Sequence, residues 1–147
     1  MYKRILIATD GSALSRKAVA SGLDLAGLAG AQVVVFNAVP RYPLSYFEGG
    51  SNVPVTEIAR TEKLWAENAM AIVDAVKAIA EARGIKAKAV TGRSDLVAEA
   101  ILSTAKKHKC DLIVMASHGR RGIKRLLLGS ETAHVLTHSH IPVLILR

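Results

Sequence analysis

The sequence predicts an α/β domain built on a parallel sheet. Short apolar runs alternate along the chain with longer stretches of helical period, and most of those runs are continuously apolar, as strands covered on both faces by helices are. A chain of 147 residues fits one domain, residues 1–147, with one hydrophobic core. Half of its residues are hydrophobic and 22% are charged, which gives enough buried apolar surface to offset the entropy of folding and excludes disorder as its main theme.

Five strands are countable. The first, residues 4–9, and the second, 32–39, are continuous apolar runs. The third, 86–90, reads Lys-Ala-Lys-Ala-Val, an alternation that suits a half-exposed strand near a sheet edge. The fourth, 111–116, and the fifth, 142–146, are again nearly continuous, and Pro142 opens the last one where its missing N–H is tolerated.

Helices fill the intervals. Ser12 caps a helix running to Ala29, and Gly30 supplies its left-handed stop. The longest helix spans residues 56–83, places Trp65, Ala69, Ile72, Val76 and Ile79 on one face, and ends at Gly84. A third runs from a Ser94 cap to Lys109 and buries Val97, Ile101 and Ala105; a fourth begins near Ser130 and ends by Ser139. Residues 40–55 show no period, yet hold three of the four prolines together with Tyr42, Tyr46 and Phe47. A loop of that kind is either a lid or binding loop or a plain connector.

Apolar stretches such as 5–8, 33–36 and 143–146 fall far short of the roughly 20 residues a membrane helix needs. The polar Thr-Asp-Gly-Ser at residues 9–12 breaks any secretory signal, and the one cysteine, Cys110, cannot form an internal disulfide. A cytoplasmic protein is the expectation. Twenty Lys and Arg against twelve Asp and Glu give +8, a balance that suits an anionic partner. The cations are scattered apart from Lys106, Lys107 and Lys109, and a second group of Arg120, Arg121, Lys124 and Arg125. Without interleaved surface aromatics, sequence-specific recognition of single-stranded nucleic acid has little support.

Open parallel sheets bind ligands outside the carboxyl ends of their strands. Two polar glycine turns stand at such ends: Thr9-Asp10-Gly11-Ser12 after the first strand, and Ser117-His118-Gly119-Arg120-Arg121-Gly122 after the fourth, with Gly129-Ser130 then opening a helix. A phosphate requires converging backbone N–H groups and residues without bulk where the chain passes close to it. Gly129-Ser130 adds unpaired N–H donors, the positive end of a helix dipole and a hydroxyl. Against this stands the plain alternative that the glycines only cap turns and the arginines form a solvated face. Neither a Walker loop nor a G-x-G-x-x-G occurs, which disfavours a fast ATPase and an ordinary dinucleotide oxidoreductase. His134 and His138 share a helical face, but no acidic or thiol ligand lies near them in sequence, and the bland reading is an interaction with the helix carboxyl end. Cys110 reads as a small core residue, and Trp65 as core or interface.

On these residues the chain resembles the universal stress protein family along essentially its whole length, from YKRILIATDGS through LIVMASHGRRGIKRLLLGS to HIPVLILR. Nucleotide-binding members carry G-x-x-G, nine residues, then G-[ST]; here the corresponding residues are Ala116-Ser117-His118-Gly119, residues 120–128, and Gly129-Ser130. The resemblance implies a doubly wound, five-stranded parallel sheet of order 3-2-1-4-5 with helices on both faces, ATP in the crevice between strands one and four, and a homodimer. It implies polar contacts to the nucleoside from Asp10, beside Ala8 and Thr9, and an adenine contact from the backbone of Ala38. Gly119, Gly129 and Ser130 match the ribose and phosphate binders, with Met115, Ala116, Ser117, His118 and Arg120 in the same segment. Glu131 follows at the helix start, where a carboxylate competes with a triphosphate or helps place a metal ion, Mg²⁺ or Mn²⁺.

Ala116 departs from the pattern by standing where the first glycine belongs. If that residue needs a positive φ, alanine adds strain; if not, its methyl only narrows the pocket. The last strand is apolar and lies at a sheet edge, where pairing with a twin through residues 142–146 covers it. The expected function is therefore that of a cytoplasmic ATP-binding stress protein, a homodimer whose nucleotide occupancy alters the 40–55 loop, and at most a slow ATPase because no general base is placed by motif. The alternative is a nucleotide-independent module whose basic 120–125 surface binds an acidic protein or nucleic acid.

Overall fold

The computed structural model describes residues 1–43, 53–119 and 128–147. Among them, strands and helices alternate as β1 (Arg4–Ala8), α1 (Ala13–Ala29), β2 (Gln32–Val39), α2 (Val55–Ala82), β3 (Ala87–Arg93), α3 (Val97–Lys107), β4 (Leu112–Ala116), α4 (Ser130–His138) and β5 (Val143–Leu146). The strands form one sheet of order β3-β2-β1-β4-β5, and every pairing is parallel, as expected. No described helix is long and apolar enough to cross a membrane. Tyr46, Phe47, Arg120, Arg121, Lys124 and Arg125 lie outside the described residues, and so do the expectations placed on them.

Alternation along each strand splits the core into two layers. Ile5, Ile7, Val33, Val35 and Val114 pack against α1 and α2 through Ala18, Leu23, Val73 and Ala80. Leu6, Val34, Phe36, Ile113 and Met115 pack on the other face against α3 and α4 through Ala98, Ile101 and Val135. Both faces being covered is why these strands read as unbroken apolar runs.

Local chemistry fixes the ends of α1. Ser12 Oγ accepts from the Ser15 N–H at 3.3 Å, and Gly30 takes the left-handed conformation at φ 65°, after which the Ala31 N–H returns to Ala26 O at 2.9 Å. In α2 the buried stripe is Ala69, Val73, Val76 and Ala80. Ile79, expected on that stripe, is 47% exposed, because at 100° per residue it stands about 90° around the helix from the stripe's centre. Trp65 is half-buried and stacks on Tyr42, with ring centroids 6.0 Å apart.

Two boundaries differ from expectation for one reason. β3 runs on to Arg93 rather than stopping at Val90, because β2 continues beside it and pairs Asn37 with Thr91, Ala38 with Gly92 and Val39 with Arg93. The Ser94 N–H still donates to Val39 O at 2.9 Å, so the chain is held extended and α3 starts at Val97, not at Ser94. Ser94 Oγ instead accepts from the Leu96 N–H at 3.1 Å, closing a small turn before the helix.

Candidate functional site

β1 connects through α1 to β2 on one side, while β4 connects through α4 to β5 on the other, so a crevice opens between their carboxyl ends. The turn leaving β1 is tied down by its own side chains. Thr9, buried, places its Oγ1 3.0 Å from Ser15 Oγ and accepts from the Gly11 N–H at 3.2 Å. Asp10 Oδ1 accepts from the Ser12 N–H at 2.9 Å, and Gly11 makes the turn with φ 79°.

The segment leaving β4 is held as firmly. The Ser117 N–H donates to Leu146 O of β5, and Ser117 O accepts from the Gly129 N–H, both at 2.8 Å. Thr132, buried in α4, donates from Oγ1 to Ala116 O at 3.0 Å. These bonds set the start of α4 against the end of β4. A Cβ on Gly129 would stand 3.2 Å from Ser117 O and 3.3 Å from His118 Cα, so a side chain there would have to push this backbone aside by a few tenths of an ångström. A Cβ on Gly119 would stand 2.8 Å from Asp10 Oδ2, which shows how closely the two turns meet. The first backbone bond within α4 runs from the Ala133 N–H to Gly129 O, so the amides of Ser130, Glu131 and Thr132 have no partner inside the helix.

The crevice between these turns has a volume of about 720 Å³, within the range of small-molecule sites. Ala8, Thr9, Asp10, Ala38, Met115, Ala116, His118, Gly119, Gly129, Ser130 and Glu131, all singled out in the sequence, line it together. Ser117 does not line it; it is buried behind the turn as the anchor of Gly129, with its Oγ 3.2 Å from His118 Nδ1. Arg120 lies outside the described residues. Sequence reasoning missed the apolar wall formed by Phe36, Val97 and Ile101. The four-residue spacing of Val97 and Ile101 was visible as a core stripe, but nothing local marks a core stripe as the wall of a cavity.

Ala116 closes β4 without a positive φ; Lys109 is the one described non-glycine residue that has one. Alanine therefore adds no backbone strain there. With Val114 it belongs to the core layer on the α1 face, opposite Met115.

Glu131 does more than follow Ser130. Its Oε2 accepts from the Ala98 N–H of α3 at 2.8 Å and so caps a helix whose own N-cap residue, Leu96, makes no side-chain bond. The crevice thus has its phosphate-suited end and part of its apolar wall joined by one carboxylate.

Other candidates resolve into structural roles. His134 and His138 stack with centroids 4.2 Å apart, and His138 Nδ1 lies 3.0 Å from His134 O. Among the described residues, no three His, Cys, Asp or Glu side chains gather as a metal site. Cys110 is buried, and burial pushes its thiol up to about 11. His108 is held below its ordinary value by desolvation and by Lys88, Lys107 and Arg4, at the end of α3 remote from the crevice.

Comparison with known proteins agrees with this architecture. The family model described as the universal stress protein family matches residues 1–147. A universal stress protein of Thermus aquaticus is 35% identical, the match covering 100% of each chain. Another, from Methanocaldococcus jannaschii, is 32% identical over 100% of this chain and 83% of its own length. A solved universal stress protein in complex with cAMP is 28% identical, with a TM-score of 0.66 over 99% of this chain and 97% of that one. By sequence and by sheet order alike, the chain belongs to the universal stress protein family.

Proposed function

We propose that this protein binds an adenine nucleotide in the crevice between β1 and β4 and acts as a cytoplasmic, homodimeric regulator of the stress response, with ATP the expected ligand and occupancy the signal. The observation that carries this is the meeting of the Asp10 and Gly119 turns beside a helix start with three amides unpartnered within the helix. Phosphate suits those amides and the Ser130 hydroxyl. The apolar wall of Phe36, Val97, Ile101 and Met115 suits a base, and the Asp10 carboxylate suits ribose hydroxyls. A relative binding cAMP supports the same ligand class.

A divalent ion, Mg²⁺ or Mn²⁺, would enter with the phosphates. Among the described lining residues only Asp10 and Glu131 offer it carboxylate oxygens, too few for a resident metal site. The dimer would form through β5, which among the described residues is an edge strand paired with β4 alone.

Isothermal titration calorimetry with ATP and Mg²⁺, joined to mass spectrometry of whatever co-purifies, tests the ligand. Binding that Gly129→Val abolishes while the oligomer persists is the expected result. Absence of heat at millimolar ATP, with salt-dependent binding to polyanions instead, would favour the nucleotide-independent module that uses residues 120–125.

A further inference from the structure

The crevice lining includes a carboxylate, that of the exposed Glu131, which a backbone hydrogen bond holds in position. Glu131 is the second residue of α4, directly after Ser130, and its carboxylate is bound to the Ala98 N–H at 2.8 Å. Ala98 is 2% exposed, and α3 has no side-chain cap of its own. If Glu131 swung aside it would leave that amide without this partner, which favours the bonded position of an otherwise exposed side chain. Two helix starts, those of α3 and α4, favour a negative charge at this point, and Glu131 already provides one. Asp10 and Glu131 are the charged residues among the described lining residues, histidine aside, and both are acidic.

Resting on the nucleotide reading above, we infer that Glu131 makes the crevice select its nucleotide by phosphate charge. A nucleoside monophosphate enters with or without a divalent cation, whereas a triphosphate is accepted only as its metal chelate. Each added phosphate oxygen near Ser130 raises the repulsion with a carboxylate that retreats only by giving up its bond to the Ala98 N–H, and chelation reduces it. Glu131 acts here as a specificity-determining residue at the rim of the site. It also ties phosphate occupancy to the position of α3, because Val97 and Ile101 of that helix form the base wall.

The test is calorimetry with AMP and with ATP, each in Mg²⁺ and in EDTA, on the wild-type chain and on Glu131→Gln. Glutamine keeps an oxygen for the Ala98 N–H and loses only the charge. Both proteins carry the same cations at 120–127, so their difference isolates residue 131. In the wild type, EDTA is expected to weaken ATP by about tenfold or more and AMP by less than about twofold. In Glu131→Gln the metal dependence of ATP is expected to fall below about threefold. Equal metal dependence of ATP in the two proteins, or none in the wild type, overturns the inference and leaves the nucleotide site standing. Failure of both nucleotides to bind in every condition overturns that site as well.

Discussion

Asp10 Oδ2 lies 2.8 Å from the point where a Cβ on Gly119 would stand, so a side chain at Gly119 would have to displace the Asp10 carboxylate. Asp10 cannot withdraw freely, because its other oxygen accepts from the Ser12 N–H at 2.9 Å, at the cap of α1. Gly119→Ala is therefore expected to push the carboxylate off its position and weaken adenine nucleotide binding by about tenfold. The clash is with a side-chain end at an exposed glycine, so the loss of folding stability should stay under about 1 kcal/mol. Calorimetry and urea unfolding measure the two quantities separately. Unchanged affinity would remove Asp10 from the ligand's contacts.

Two glycines of α1 separate packing from backbone entropy. A Cβ on Gly22 would lie 2.6 Å from Ile7 Cδ1 and 2.9 Å from its Cγ1, in a core where Ile7 and Val114 are fully buried. Gly22→Ala should cost about 1–3 kcal/mol by overpacking. A Cβ on the exposed Gly27 would meet only Ile85 Cδ1, at 4.0 Å. Gly27→Ala should instead stabilise by about 0.5–1 kcal/mol, since alanine loses less freedom in a helix. Urea unfolding of both variants reads the opposite signs; equal effects would contradict the packing of α1 on β1.

Cys110 sets a test in pH. Burial raises its thiol to about 11 in the folded chain, above the ordinary 9.0. The unfolded chain therefore loses its proton first as pH rises, so the thiol's contribution to stability is fully present below pH 9.0 and is lost as pH climbs towards 11. At pH 8 only about one native thiol in a thousand is ionised. A thiol reagent should modify Cys110 slowly in the native protein and fully in urea. Rapid native modification would show that the thiol is not shielded at the foot of β4.

The fold was largely legible because its signals are local. Continuous apolar runs announced buried strands, and Ser12 and Gly30 announced both ends of α1. The turns at Asp10 and Gly119, which line the crevice, stood out in the sequence because glycine and polar residues there have no use in a core. Three features were not. The length of β3 depends on β2 running beside it to Val39, which is a long-range pairing. The cap of α3 comes from Glu131, 33 residues away, so inspection of Ser94 could not reveal it. Ala116 stood open between strain and a narrowed pocket until its backbone showed an ordinary φ, which leaves it as a residue of the crevice lining without strain.

The edge at β5 carries the last prediction. Among the described residues β5 pairs with β4 on one side only, and within it Leu144 is 38% exposed. An apolar edge strand with unpaired backbone groups is a template for a second chain, and pairing with a two-fold copy satisfies both the backbone and the leucine. Lysine at this position disfavours that pairing because two like charges would approach across the axis. Leu144→Lys should shift sedimentation from dimer to monomer at micromolar protein. Its cost to the fold of one chain should be under about 1 kcal/mol, since the residue is already partly in solvent. The circular dichroism spectrum and nucleotide affinity should be preserved, because the crevice lies between β1 and β4 and draws no described lining residue from β5. A variant that remains dimeric would move the interface elsewhere, and a monomeric wild type would remove the dimer altogether.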